Sequence, residues 1–198
     1  MKILHWLVRI VCVVGLFLWF VWIVDQNIAF GGYKAINYVF GDPGPVVSEL
    51  QPVSRVGGKE LGSNGASFQK MFEDPVYFDV ITPVTYQRTK VSLVFANHST
   101  FPLRLGVKGE NSADFLLYDT IRDIQMGEWE TGHVDIDLSS AGWEKGKYRF
   151  VISVPGLVRG NTEQYIALSS VNVQLYKEPV TSANIKTVMR RVINGFFK

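Results

Sequence analysis

Cysteine is nearly missing from this chain of 198 residues: Cys12 is the only one, and it lies inside an apolar run. Whatever follows that run has no disulfide to staple it, and a zinc site built on several cysteines is excluded. Histidine is almost as scarce, and His5, His98 and His133 stand too far apart for ligand spacing. Ser139 and Ser140 have no histidine or glycine elbow beside them, so a serine nucleophile has no support. The glycines between Val56 and Gly65 do not open a helix after a strand, which argues against a phosphate cradle. There is no internal repeat and, between the strand-like runs, no helical periodicity of any length. A large excess of one charge is also lacking. The formal net charge is +2, and the region from residue 25 to 180 carries 14 bases against 18 acids. That balance excludes a nucleic-acid binder by charge and leaves the basic excess at the two ends.

What the sequence does hold is Ile10 to Val24, IVCVVGLFLWFVWIV, apolar on every side. With Trp6, Leu7 and Val8 it reaches the roughly 20 residues that cross a bilayer core. Lys2 and Arg9 precede it and Asp25 follows, so the positive-inside rule places Met1 in the cytoplasm and the remainder outside. Ile10, Leu16 and Phe17 would face lipid, and Trp19 and Trp22 would sit in the outer headgroup zone. The competing reading is a cleaved secretory signal. Its cleavage site needs small residues at alternating positions, which Trp22, Ile23, Val24, Asp25 and Gln26 do not supply. The expected division is an anchor over 1–25, a juxtamembrane segment and linker over 26–66, a β-domain over 67–178 and a terminal helix over 179–198.

Ala29, Tyr33, Ile36 and Phe40 fall at helical spacing and predict a short interfacial helix after a juxtamembrane turn. Residues 46 to 66 are glycine-rich and read as linker or loose edge structure. Phe68, Met71 and Phe72 suggest a first strand or a plug over the core. From Asp74 the period becomes two. Apolar residues alternate with polar ones at Val76–Val80, Val91–Phe95, Leu103–Val107, Val134–Leu138, Tyr148–Val154 and Val171–Leu175, with Phe115–Tyr118 less regular. One dry face and one wet face per strand, with short runs bounded by turn residues, predict a mainly β protein: an antiparallel sandwich, immunoglobulin-like or jelly-roll.

Ala141 to Tyr148, AGWEKGKY, adds a local signature. It looks like the tyrosine corner of Greek-key sandwiches, with Gly146 as the turn and Tyr148 bonding back to backbone a few residues upstream. Lys145 stands where that motif usually has proline. More broadly, DPVYFDVITP through GKYRFVISVPG resembles single-pass bacterial envelope proteins with a Greek-key β-sandwich ectodomain. The resemblance covers about the middle half of the chain and implies a fold, with no substrate attached.

After Pro179, Thr181 or Ser182 can cap a helix. Ile185, Val188, Met189, Val192, Ile193, Phe196 and Phe197 make one apolar stripe, and Lys186, Arg190, Arg191 and Lys198 share the remaining surface with no acid. Such a helix suits an anionic bilayer surface or a partner helix, and the same stripe could dock on the sandwich.

Asp135 and Asp137 share a strand face, where a calcium site or a glycosidase pair is weighed against plain solvation. Tyr86, Tyr118, Trp129 and Tyr165 are the aromatic residues available to stack on a sugar or meet a protein; for Trp129, as for Trp143, core or corner packing is the favoured alternative. With no catalytic or metal set and no cofactor motif, the expectation is a non-enzymatic binding or assembly module facing the cell envelope. Its partners would be the lipid bilayer and a protein partner or a second copy, with no nucleic acid. The alternative is a carbohydrate-binding module with a glycan partner.

Overall fold

Each alternating run folds as a strand, and the dry positions whose side chains are described meet in one core. The computed structural model describes residues 2–42, 44–62, 65–110, 115–119, 126–160 and 163–196, with backbone alone at 2–4, 27, 115–119 and 191–196. Helix α1 (Lys2–Ile28) comes first. The strands follow: β1 (Tyr33–Val39), β2 (Val56–Leu61), β3 (Ser67–Met71), β4 (Val76–Ile81), β5 (Arg88–Asn97), β6 (Arg104–Lys108), β7 (Phe115–Asp119), β8 (Trp129–Asp137), β9 (Trp143–Glu144), β10 (Lys147–Ser153) and β11 (Ile166–Tyr176). Helix α2 (Ile185–Phe196) is the last element described.

The strands form two antiparallel sheets. Sheet A has six strands in the order β2-β3-β11-β5-β8, with β1 also paired to β11; sheet B has five in the order β4-β10-β6-β7, with β9 paired to β10. Strand β11 is long enough to take two partners on one side. Its first half pairs with β3 through Ile166↔Met71, and its second half with β1 from Tyr38↔Val171 to Tyr33↔Tyr176. Phe78 and Phe150 stack between β4 and β10 at 5.4 Å, and with Leu93, Phe95, Leu105, Ile136 and Leu175 they are fully or almost fully buried. Burying an aliphatic or aromatic side chain of this kind stabilises by about 1.5–3 kcal/mol.

One sequence expectation is corrected. Tyr33–Val39 is a strand, not an interfacial helix, so the sandwich starts at Tyr33 rather than at residue 67. Ile36, Tyr38 and Phe40 also alternate, and all three are buried, while Tyr33, Ala35, Asn37 and Val39 face out. The seven-residue ladder to β11 decides between the two periods, since tertiary pairing overrides a weak local pattern. Of the two readings of residues 46–66, linker or edge structure, the structure shows the second. Val47 and Leu50 are buried, Val47 and Gln51 bridge to Val80 and Tyr77 of β4, and β2 forms the edge of sheet A.

The join between α1 and the sandwich is built from specific contacts. Ala29 stands in the left-handed region at φ 52° and ends the helix, with Gly32 N–H donating back to its carbonyl at 2.8 Å. The Asp25 carboxylate accepts the Phe30 N–H at 3.2 Å, and Lys177 donates its ammonium to the Ile28 carbonyl, a cation at the negative end of the helix dipole. Ile28 and Ala29 are buried with the core, and Val24 packs against it. Lys177 N–H donates to the Gly32 carbonyl and Val180 N–H to that of Phe30, each at 2.8 Å, so the chain leaving β11 is bound to the chain leaving α1.

Candidate functional site

The outer face of sheet A carries five cross-strand rows, read from the register. Tyr33, Tyr176, Arg88 and Asp137 make the row next to α1. Ala35, Gln174, Lys90 and Asp135 follow, then Asn37, Asn172, Ser92 and His133, then Val39, Ser170, Val94 and Thr131. The farthest row has Ala167, Ala96 and Trp129, with Lys70 on the far side of β11. From Tyr176 to Ala167 the face runs roughly 30 Å along β11. Tyr33 and Tyr176 pair at 5.3 Å and are both exposed. Between the two ends lie amides and hydroxyls, including a hydrogen bond from Asn172 Nδ2 to Asn37 Oδ1 and a 2.8 Å contact between His133 Nδ1 and Ser92 Oγ.

At the far end small residues let rings lie across the sheet. Ala96 and Ala167 point outward yet are 1% and 2% exposed, and they are not part of the inner core cluster. Phe68 of β3 meets Trp129 of β8 edge-on at 5.7 Å, across the two intervening strands β11 and β5 that carry these alanines. The Lys70 ammonium stands 5.9 Å from the Phe68 ring and 5.1 Å from that of Tyr165, and it pairs with Glu60 at 2.8 Å. Tyr165 stacks on His98 at 4.4 Å and lies 6.5 Å from Phe72. Burial, and after it the Lys70 charge, holds the His98 imidazole below its ordinary pKa.

Of the four aromatic residues expected to meet a ligand, two belong here: Trp129, 40% exposed, and the half-buried Tyr165. Tyr86 does not. It is buried, and its backbone is held by Tyr148. Tyr118 pairs with Leu105, and its side chain lies outside the described residues. Sequence reasoning missed Phe68, Lys70, Phe72 and the Tyr33–Tyr176 pair as site residues. The exposed alternate positions of β1 would have shown Tyr33 and Asn37 had that strand been recognised.

The corner residues act over a longer range than the motif implies. Gly146 (φ 73°) and Lys145 (φ 51°) make the two-residue turn between β9 and β10. Both central positions of a type I′ turn need positive φ, and glycine meets that need without strain. Tyr148 Oη accepts the Tyr86 N–H at 2.8 Å and donates to the Tyr86 carbonyl at 3.2 Å. Its partner is therefore 62 residues upstream, not a few, so the hydroxyl ties β10 to the chain entering β5. Burial pushes the Tyr148 phenol up to about 12. Trp143 packs at this corner as expected, its Nε1–H directed at Thr82.

The outer face of sheet B is organised by charge. Asp79 of β4 is 7% exposed and accepts hydrogen bonds from Lys147 and from Arg149, the latter at 2.8 and 3.1 Å. Burial pushes its carboxyl up, but the two cations together outweigh that and hold it below the ordinary carboxylate value. Arg149 lies over the Tyr77 ring at 4.4 Å, and Lys108 pairs with Glu144 at 3.0 Å.

Asp135 and Asp137 stand exposed on an open strand face, and Asp137 accepts the Ser139 N–H at 2.9 Å. That is the solvated arrangement: the two carboxylates line a surface recess with Arg88, Lys90 and Tyr176 but are exposed rather than buried at its bottom. Among the described residues no three His, Cys, Asp or Glu side chains come together to hold a metal ion.

At the opposite end of the chain, α1 has one span, His5–Gln26, long and apolar enough to cross a membrane, and none of its apolar window is buried. Ile10, Leu16, Phe17, Trp19 and Trp22 are all exposed on it. In α2, Ile185 and Met189 are exposed, Arg190 is exposed and Val188 packs on the core. The side chains of Arg191, Val192 and Phe196, and all of Phe197, lie outside the described residues.

No family model matches the chain, and no curated protein matches it in sequence. Solved structures share part of its trace. The CBM22-1 xylan-binding domain from Paenibacillus barcinonensis Xyn10C is 9% identical, with a TM-score of 0.48 over 72% of this chain and 94% of that one. The CBM35 from Cellvibrio japonicus Abf62 is 13% identical, with a TM-score of 0.44 over 73% of this chain and 100% of that one. A family two carbohydrate esterase from Cellvibrio japonicus is 9% identical, with a TM-score of 0.38 over 75% of this chain and 36% of that one. The fold assignment rests on the two antiparallel sheets themselves; these likenesses concern chain trace only.

Proposed function

We propose that this protein is a non-enzymatic binding or assembly module, held by α1 at the outer surface of a membrane and facing the cell envelope. The observation that carries this reading is the contrast within α1. No residue of its apolar window is buried, whereas the end of the helix joins the sandwich core, with Val24 packed against it and Ile28 and Ala29 inside it. A cleaved leader has no reason to be built into the domain it leaves. At 1.5 Å per residue the 22-residue span is about 33 Å long, enough to cross a bilayer core of about 30 Å. Alkaline extraction of membranes tests it. The intact chain is expected in the pellet, and its release into the supernatant, or a mature chain beginning beyond residue 24, would end the reading. Crosslinking in native membranes is expected to recover a protein partner or a second copy.

A second reading, recognition of a glycan, is favoured by the outer face of sheet A. Aromatic rings offer flat apolar surfaces to the C–H faces of a sugar, and amides and hydroxyls offer both donors and acceptors to its hydroxyl groups. Trp129, Tyr165, Tyr33 and Tyr176 supply the first, and Asn37, Asn172, Gln174 and Ser92 the second. A glycan array probed with the solubilised full chain is expected to give hits that Trp129→Ala removes. Silence at high protein concentration, or hits indifferent to Trp129, would reject the glycan and leave the first reading standing.

A further inference from the structure

Helix α2 is amphipathic in sequence, yet the sandwich covers only part of the apolar stripe among the described side chains. Among its described side chains Val188 packs on the core, while Ile185 and Met189 are 44% and 47% exposed. A cleft of about 240 Å³ lies between the Asn184–Val188 turn and residues Thr85–Gln87, so the helix is not seated flush. Its start is nevertheless fixed in space. Asn184 Oδ1 accepts the Thr181 N–H at 2.7 Å, and Val180 is bonded to Phe30, two residues beyond the end of α1. The first turn of α2 therefore lies beside the point where α1 leaves its apolar span. Lys186 and Arg190 flank the exposed Ile185 and Met189, and no acid occurs from residue 179 onward.

We infer that α2 lies in the headgroup layer of the bilayer that α1 crosses, Ile185 and Met189 dipping toward the acyl chains and Lys186 and Arg190 meeting anionic lipid. Two observations select this occupant over a partner protein: the backbone bonds that place the helix at the exit of the span, and the basic charge complementary to anionic headgroups. The inference rests on the anchored reading above.

The test uses the full chain reconstituted in vesicles of phosphatidylcholine, with or without about one-third phosphatidylglycerol. An environment-sensitive dye is placed through Met189→Cys in a Cys12→Ser background, with Val158→Cys, exposed in the loop after β10, as the aqueous reference. With anionic lipid, nitroxide-labelled lipid is expected to quench the dye at 189 at least fivefold more than at 158, and iodide to quench in the reverse order. Joint Lys186→Glu and Arg190→Glu substitution is expected to move the dye at 189 toward the aqueous reference by about fivefold per residue. Free access of iodide to 189 overturns the inference. So does shielding from both quenchers that is lost on dilution of the protein in lipid, which reports a second copy over the helix. Cys12 in the unsubstituted chain separates the two readings. If it reacts with a membrane-impermeant maleimide, the anchored reading fails and α2 loses its bilayer with it. If it is protected while 189 is in water, the inference about α2 fails alone.

Discussion

The two outer faces of the sandwich use their polar groups in opposite ways. On sheet B, charge meets charge: Asp79 is closed by Lys147 and Arg149, Arg149 covers Tyr77, and Lys108 holds Glu144. On sheet A, the middle of the face carries neutral amides and hydroxyls between exposed rings. A face whose hydrogen-bonding groups already satisfy one another stabilises the fold and has little to offer a ligand. On sheet A the amides and hydroxyls spend only part of their capacity on one another, as in Asn172 to Asn37 and Tyr176 to Gln174, while Asn172 Oδ1 has no partner among the described residues; with open rings beside them, this is the face on which binding is expected. The strongest effects on folding should therefore come from sheet B and the strongest effects on binding from sheet A.

The largest change in stability is expected from Asp79→Asn, which keeps the shape and removes the charge between two cations. Loss of charged hydrogen bonds at a buried site costs about 1.5–3 kcal/mol, measurable by denaturant unfolding of the detergent-solubilised chain, with ligand binding unchanged. A variant as stable as the parent would show that the network on sheet B is ornamental. Next, Trp129→Ala is expected to lower affinity for any glycan found on the array by about tenfold, the loss typical of an aromatic anchor, with a smaller change in stability. A stability loss equal to that at Asp79 would break the contrast between the faces.

The pH dependence sharpens it further. The Asp79 carboxyl is held below its unfolded value, so its contribution is present above about pH 4 and is lost as pH falls through the lower folded value. His98, by contrast, is held below the ordinary imidazole value. The unfolded chain binds that proton first, so stability declines as pH falls from about 6.5 toward the lowered folded pKa. His98→Gln is expected to remove the upper phase and Asp79→Asn the lower one, read from unfolding midpoints across pH. The smallest effect is expected at Lys108→Ala, whose exposed partner Glu144 gains little from the pair. No measurable shift in the midpoint should follow.

Much of this was legible in the sequence, because alternation reports burial directly. The runs at Val76–Val80, Val91–Phe95 and Val171–Leu175 fall within strands of the expected faces, and those at Val134–Leu138 and Tyr148–Val154 run one residue past the ends of theirs. Strand β1 was not, since Ala29, Tyr33, Ile36 and Phe40 satisfy a helical spacing while Ile36, Tyr38 and Phe40 satisfy an extended one. Its partner in β11 is more than 130 residues away. The site was half legible for a related reason. Trp129 and Tyr165 could be named as rings, but Phe68 and Lys70 join them only through the strand order β3-β11-β5-β8. Nor does composition separate an inward tyrosine such as Tyr86 from an outward one such as Tyr33.

The join between α1 and the sandwich has one further consequence. Ala29 turns the chain, and Asp25, Lys177 and Val180 hold the turn, so the domain has no swivel. Any tilt or spin of the helix about its own axis carries both sheets round with it. For the membrane-held chain proposed above, neighbouring copies in a crowded leaflet would then meet in a narrow set of attitudes.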